Sequence, residues 1–253
     1  MTALLEAIDV KVTYASPGNA PVEAVRGVSL TLGPGEVLGV VGESGSGKSS
    51  LAKALLGLTP LAAGAVRIEG VSIASASRAE LLKIRRLVQP VFQDASSALD
   101  PSWRIGQSLE EPLVIHGLSA PRRSARVAEL LASVQLDASL ALLKPHQLSA
   151  GQRQRVNVAR AMAVEPRVLV LDEPVSALDL SVQAQLLNLL MQLKRERALA
   201  LLFITHALDV VAHLADRIAV MHAGQFVEEG TVAQVLSAPT HPFTRQLLDD
   251  ARP

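Results

Sequence analysis

The 253-residue chain predicts an α/β fold built on a mostly parallel sheet. Three observations carry that expectation. Apolar runs of four or five residues recur at 37–41, 168–171 and 201–205, the size of buried strands. Segments with helical spacing separate them, as crossover connections would. Apolar residues make up 49% of the chain, aromatics only 2%, and the mean hydropathy is +0.31. Such a core is aliphatic and suits strands buried on both faces.

The elements follow in order. Residues 4–14 alternate and end at Tyr14, a strand, before a turn at Ser16-Pro17-Gly18-Asn19. Residues 24–32 form a second strand, closed by Gly33-Pro34-Gly35. Residues 37–41 lead into a glycine-rich loop, and a helix from Ser49 stops at Gly57. Residues 66–73 read as a hairpin about Glu69-Gly70. Ser77 with Glu80 is a capping box that opens a helix running to Arg86. Residues 88–92 are a short strand whose Pro90, lacking an N–H, limits its pairing and points to a sheet edge or an irregularity.

From Asp94 to Met162 helical patterns take over, at 105–116, 121–134 and 151–163. Strand and helix then alternate at 168–171, 182–197, 201–205 and 208–214. A hairpin joins 217–221 to 225–229 about Ala223-Gly224, and a helix covers 232–236. The expected organisation is one domain. Residues 1–93 and 163–235 form an α/β core with an antiparallel part, 94–162 an inserted helical subdomain, and 236–253 a short C-terminal extension.

Composition excludes several classes. With 24 basic and 24 acidic side chains the formal net charge is zero, so no global field favours nucleic acid. There is no cysteine, which rules out disulfides and thiolate-held metals. No apolar run approaches a membrane span. Glu6 and Asp9 do not fit the basic-then-apolar layout of a signal peptide, so a cytoplasmic location is expected.

Chemistry concentrates at three places. Gly42-Glu43-Ser44-Gly45-Ser46-Gly47-Lys48-Ser49 fits G-x-x-x-x-G-K-[ST], between a strand and a helix that begins with Ser49-Ser50. Glycines let backbone N–H groups surround phosphate oxygens, and the helix start adds positive potential. This is the phosphate-binding loop of P-loop NTPases, with Lys48 at the β- and γ-phosphates and the Ser49 hydroxyl a ligand for Mg²⁺. Asp172 and Glu173 stand at the end of the apolar run 168–171, the edge where open α/β sheets bind ligands. Asp172 is placed to hold Mg²⁺, and Glu173 to polarise an attacking water. The third place is Leu148-Ser149-Ala150-Gly151-Gln152, where Ser149 reads as a helix N-cap; the residues alone do not connect it to a nucleotide.

Taken together these motifs resemble the ATP-binding subunits of ABC transporters. Leu148 to Gln152 is similar to the family's LSGGQ signature, with Ala150 in place of its first glycine. Val91-Phe92-Gln93-Asp94 resembles the Q-loop, and Ser176-Ala177-Leu178-Asp179 the D-loop. His206 matches the switch histidine and Tyr14 the A-loop aromatic. The motifs stand in the family's order from Tyr14 to His206. Glu111-Pro112-Leu113, the run from Glu173 to Gln185, and His241-Pro242-Phe243-Thr244-Arg245 resemble the oligopeptide, dipeptide and nickel importer subfamily.

The resemblance implies a RecA-like P-loop core with an N-terminal antiparallel β subdomain and an inserted helical one. It implies two subunits facing head to tail, ATP on one being capped by Ser149, Gly151 and Gln152 of the other. Tyr14 would stack on adenine, and Gln93 would ligate Mg²⁺ or water and sense the γ-phosphate. Asp179 would connect the two sites, and His206 would hold the γ-phosphate and the water. Gly42, Ser44, Gly45, Ser46, Gly47 and Ser50 would complete the nucleotide contacts. The implied function is ATP hydrolysis coupled to import of peptides or nickel. The implied partners are a second ATPase subunit, identical or different, two permease subunits and, indirectly, an extracytoplasmic binding protein. Export and a non-transport ABC ATPase remain as alternatives. His241 and Phe243 are expected to fix a turn and pack a C-terminal helix.

Overall fold

The computed structural model describes residues 3–15, 18, 20–93 and 98–250. Two sheets organise it. The first is antiparallel, in the order β2-β1-β4-β5, from β1 (Leu5–Tyr14), β2 (Val22–Leu32), β4 (Ala63–Ile68) and β5 (Val71–Ser72). The second contains β3 (Val37–Val41), β6 (Val88–Val91), β7 (Val168–Asp172), β8 (Ala200–Thr205), β9 (Arg217–His222) and β10 (Gln225–Thr231). Its order is β10-β9-β3-β8-β7-β6, parallel throughout except for the β9–β10 hairpin.

The apolar runs explain this sheet. Alternate residues of each inner strand enter different cores. On one face Leu169, Leu171, Leu201, Phe203, Ile218 and Val220 pack under the helices. On the other, Val168, Val170, Leu202, Ile204, Ala219 and Met221 pack against the antiparallel sheet and α1 (Lys48–Leu55). A sheet buried on both faces needs continuous apolar strands, and these strands are. Gly39 lets α7 (Leu208–Leu214) approach β3, because a Cβ there would overlap the Val211 side chain.

β6 is the outermost strand on its side, a place that tolerates Pro90. Before it, α2 (Arg78–Leu87) carries the capping box: Ser77 Oγ accepts from the Glu80 N–H, and Glu80 accepts from the Ser77 N–H at 2.8 Å. The chain then leaves the sheet for α3 (Ile105–Ile115), α4 (Ala120–Ser133) and α5 (Ala150–Met162) before returning at β7. Their apolar faces, with Ile105, Leu109, Leu131 and Val156 fully buried, join the helix-side core. After β7 come α6 (Leu180–Arg197), β8, α7, the hairpin, α8 (Val232–Ser237) and α9 (Pro242–Asp250).

Most elements fall within two residues of their expected bounds. Two depart further. β4 starts at Ala63, three residues earlier than its apolar run, because pairing with β1 extends it. The last helix, α9, is a separate element over the extension, where the sequence gives only a site for it to pack. Ser16, Pro17 and Asn19 of the expected first turn, and Asp94 of the expected Q-loop, lie outside the described residues.

Candidate nucleotide site

Strand order and register assemble the site. β3, β6, β7 and β8 are parallel, so their C-terminal ends share one sheet edge. Val40 and Asp172 both pair with Ile204, which puts the end of β7 level with the start of the glycine loop. Lys48 and Ser49 follow β3, Gln93 follows β6, Glu173 follows β7 and His206 follows β8. The sheet edge thus gathers residues far apart in sequence.

The loop's shape comes from its glycines and a scaffold below them. Gly47 has φ 105°, a left-handed conformation, and a Cβ there would overlap the Ala24 carbonyl oxygen. A Cβ on Gly42 would overlap the Met221 carbonyl oxygen. The Gly224 N–H donates to the Ser46 carbonyl at 2.9 Å. The Lys48 ammonium donates to the carbonyls of Gly42 and Glu43, each at 2.7 Å, and is 3.4 Å from Ser46 Oγ.

Across the loop, Ser49 Oγ donates to Asp172 Oδ1 at 3.2 Å. His206 Nδ1 is 3.3 Å from Glu173 Oε1. Glu173 itself has φ 48°, a left-handed backbone that a non-glycine residue adopts at a cost of about 1–3 kcal/mol. Its N–H donates to the Ile204 carbonyl at 2.9 Å, which holds the strained residue against β8.

Lys48 is 5% and Asp172 8% exposed. Burial lowers the Lys48 pKa, against the nearby carboxylates of Glu173, Asp172 and Glu43. Burial raises that of Asp172, with the Glu173 charge adding and the Ser49 bond and the Lys48 charge opposing. An anion at Lys48 and a cation at Asp172 would each favour the charged form against burial. The Ser49 hydroxyl and Asp172 carboxylate are hard oxygen donors. They fit a Mg²⁺ ion, which takes few protein ligands and completes its shell with phosphates and water.

A cleft of about 550 Å³ opens over these groups. Ser44, Gly45, Gly47, Lys48, Ser49, Ser50, Gln93 and Glu173 line it, together with Val22, Glu23, Ala24, Arg26, Ala223 and Gly224. Val22, Glu23 and Arg26 carry no motif and escaped sequence reasoning. Tyr14 is not part of the lining. It pairs with Val22 across β1 and β2, and directly paired residues of antiparallel strands point to the same face.

Ser149, Gly151, Gln152 and Asp179 do not line the cleft. Ser149 caps α5 in a reciprocal box with Gln152, at 3.2 and 2.9 Å. Gly151 is buried against α6, and a Cβ there would overlap Val182 Cγ1. Ala150 is exposed, so the methyl that replaces the signature glycine meets no core. Asp179 caps α6, accepting from the Val182 N–H at 2.9 Å. Gln154 of α5 is buried and donates to the Phe92 carbonyl at 3.3 Å, linking this helix to the segment before Gln93.

A parallel α/β core with a glycine loop at its edge and paired acids on the neighbouring strand defines a P-loop nucleotide-binding protein. The comparisons then specify it: residues 25–176 match the family described as ABC transporter, and the chain belongs to that family. A protein of Brucella abortus (strain 2308) named for peptide import and ATP binding is 47% identical over 92% of this chain and 70% of its own length. The glutathione import ATP-binding protein GsiA of Salmonella typhimurium is 47% identical over 90% of this chain, which spans 37% of that protein. The ATP-binding cassette MJ0796, solved as a dimer in a post-hydrolysis state with ADP and Pi, superposes with TM-score 0.81 at 31% identity, covering 90% of this chain and 98% of that one. The cassette cbiO1 of Clostridium perfringens superposes with TM-score 0.82 at 28% identity, covering 94% and 92%.

Proposed function

We propose that this chain is the ATP-hydrolysing subunit of an ABC importer for peptides. The observation that carries the reading is one cleft lined by Lys48, Ser49 and Glu173, with Asp172 bonded to Ser49 and His206 in contact with Glu173 just outside the lining. The names of the Brucella and Salmonella relatives favour peptides over nickel as the cargo.

The residues divide the work as follows. The loop N–H groups and the Lys48 ammonium bind the β- and γ-phosphates. A phosphate oxygen takes the place of the long Ser46 contact at Lys48. Ser49 and Asp172, with Gln93 nearby, would hold Mg²⁺, which neutralises charge that develops on the phosphates. Glu173 orients a water in line with the γ-phosphorus and accepts its proton, and His206 positions that carboxylate and the water. Tyr14, on the same face as Val22, stacks on the base.

Ser149, Ala150, Gly151 and Gln152 sit outside their own cleft at the start of α5. They serve the facing site of a second ATPase subunit, with Asp179 at the seam. The dimeric state of the MJ0796 cassette supports this arrangement. Residues 94–162 act as the lobe that meets the permease. A groove of about 500 Å³ supports that role: Leu82, Pro90, Pro112 and Ile115 line it, with Phe92, the residue before Gln93. No described helix is long and apolar enough to cross a membrane. Attachment to permease subunits at the cytoplasmic face of the cell membrane then supplies the link to transport.

The test is to purify the tagged chain from detergent-solubilised membranes and identify its companions. Two integral membrane permeases, with an ATPase subunit, are expected. Recovery with nucleic acid or ribosomes instead would favour a non-transport ABC ATPase.

A further inference from the structure

The motif His241-Pro242-Phe243-Thr244 has no part in the chemistry above, yet it is firmly held. The Glu228 carboxylate of β10 accepts from the Thr240 N–H at 2.7 Å, the Thr240 hydroxyl at 3.0 Å and the His241 N–H at 3.0 Å. The Phe243 N–H donates to His241 Nδ1 at 3.2 Å, which fixes the start of α9. The Phe243 ring then lies on the His222 imidazole at the end of β9, with centroids 3.9 Å apart and planes inclined by 36°.

His222 occupies a particular place. The residues around it form the scaffold under the phosphate loop. The Met221 carbonyl oxygen lies against Gly42, and Met221 Cε against Gly47. Gly224 donates to Ser46 and accepts from the Arg26 N–H at 2.8 Å. Residues 221–224 therefore touch the loop at its first glycine, its middle and its last glycine. The phosphate loop rests on one side of this turn and α9 leans on the strand that carries it.

We infer that the segment 239–250 is a strut for the phosphate loop: by clamping the β9–β10 hairpin it sets loop geometry and so the affinity for nucleotide. Glu228 and Phe243 are its two fixings and act as positioning residues, outside the lining of the cleft. The path runs through packed groups: Phe243, Met221 and Gly224 are buried, and His222, which links Phe243 to the strand, is half-buried. A ligand or partner that draws α9 away would weaken nucleotide binding from outside the cleft.

The inference rests on the nucleotide reading above, and two measurements separate them. The first is amide hydrogen exchange in the nucleotide-free protein, comparing wild type with Phe243→Ala and with the milder Glu228→Gln. Faster exchange at residues 42–48 and 221–224, with α3 unchanged, is expected. Exchange that rises only in 239–250, or equally in α3, would overturn the strut. The second is titration with a ribose-labelled fluorescent ATP analogue and Mg²⁺. Phe243→Ala is expected to weaken binding about five-fold or more, within the range of coupling substitutions. It should raise KM for ATP while leaving kcat at saturation, and Phe243→Tyr should restore wild-type values. Equal affinity in wild type and both variants would overturn the strut. A wild type that binds no nucleotide would instead overturn the functional reading, and the exchange comparison would still decide the strut.

Discussion

His206 Nδ1 lies 3.3 Å from Glu173 Oε1, across the ends of two adjacent parallel strands. The contact joins a half-buried carboxylate that lines the cleft to an exposed imidazole. His206→Ala should leave ATP affinity within about two-fold and lower kcat by about 10²- to 10⁴-fold, the usual weight of a positioned acid–base group. Steady-state kinetics with phosphate detection checks the split. A raised KM with unchanged kcat would assign His206 to binding alone.

Glu173→Gln keeps shape and removes the proposed proton acceptor. It should bind ATP, fail to hydrolyse it and accumulate as an ATP-dependent dimer. Size-exclusion chromatography with Mg²⁺ and ATP, against ADP, reads this directly. A variant that stays monomeric with ATP would exclude the homodimer and leave a different subunit as the partner.

Much of this was legible in the chain. Continuous apolar runs identified β3, β7 and β8, because strands buried on both faces leave no polar position. Ser77 with Glu80 identified a helix start, because a capping box acts within one turn of chain, while Pro90 left an edge strand or an irregularity open and the strand order decides for the edge. The placement of the glycine loop after β3 and of Asp172-Glu173 at the end of β7 was legible because motif spacing marks both. Contacts between distant segments were not. Nothing near Gly151 announces Val182, and nothing near Gly42 announces the Met221 carbonyl. α9 was only implied, since its length is short and its last residues are acidic.

Gly151 gives a packing test. Gly151→Ala drives a methyl into Val182 Cγ1 and should cost about 1–3 kcal/mol, lowering Tm by roughly 2–10 °C for a chain of this size. Val182→Ala in the same chain should recover most of that loss, read by thermal denaturation. Independent, additive losses would show that the two residues do not share the contact.

The Glu228 clamp predicts a pH dependence. Desolvation raises its pKa, but the bonds from Thr240 and His241 outweigh that and bring it from 4.5 to about 2. A depressed carboxylate contributes stability above its unfolded value and loses it as pH falls toward the folded one. The Tm gap between wild type and Glu228→Gln should therefore be constant above about pH 4.5 and shrink toward pH 2. A gap that widens on acidification would contradict the clamp.

The central claim is that Lys48 works in a catalytic site completed by a second subunit. The direct measurement is phosphate release per mole of purified protein, across protein concentration, for wild type and Lys48→Ala. Specific activity is expected to rise with wild-type concentration as dimers form, and Lys48→Ala is expected to show none at any concentration. Hydrolysis that survives Lys48→Ala, or wild-type specific activity that stays constant down to the most dilute samples, would contradict it.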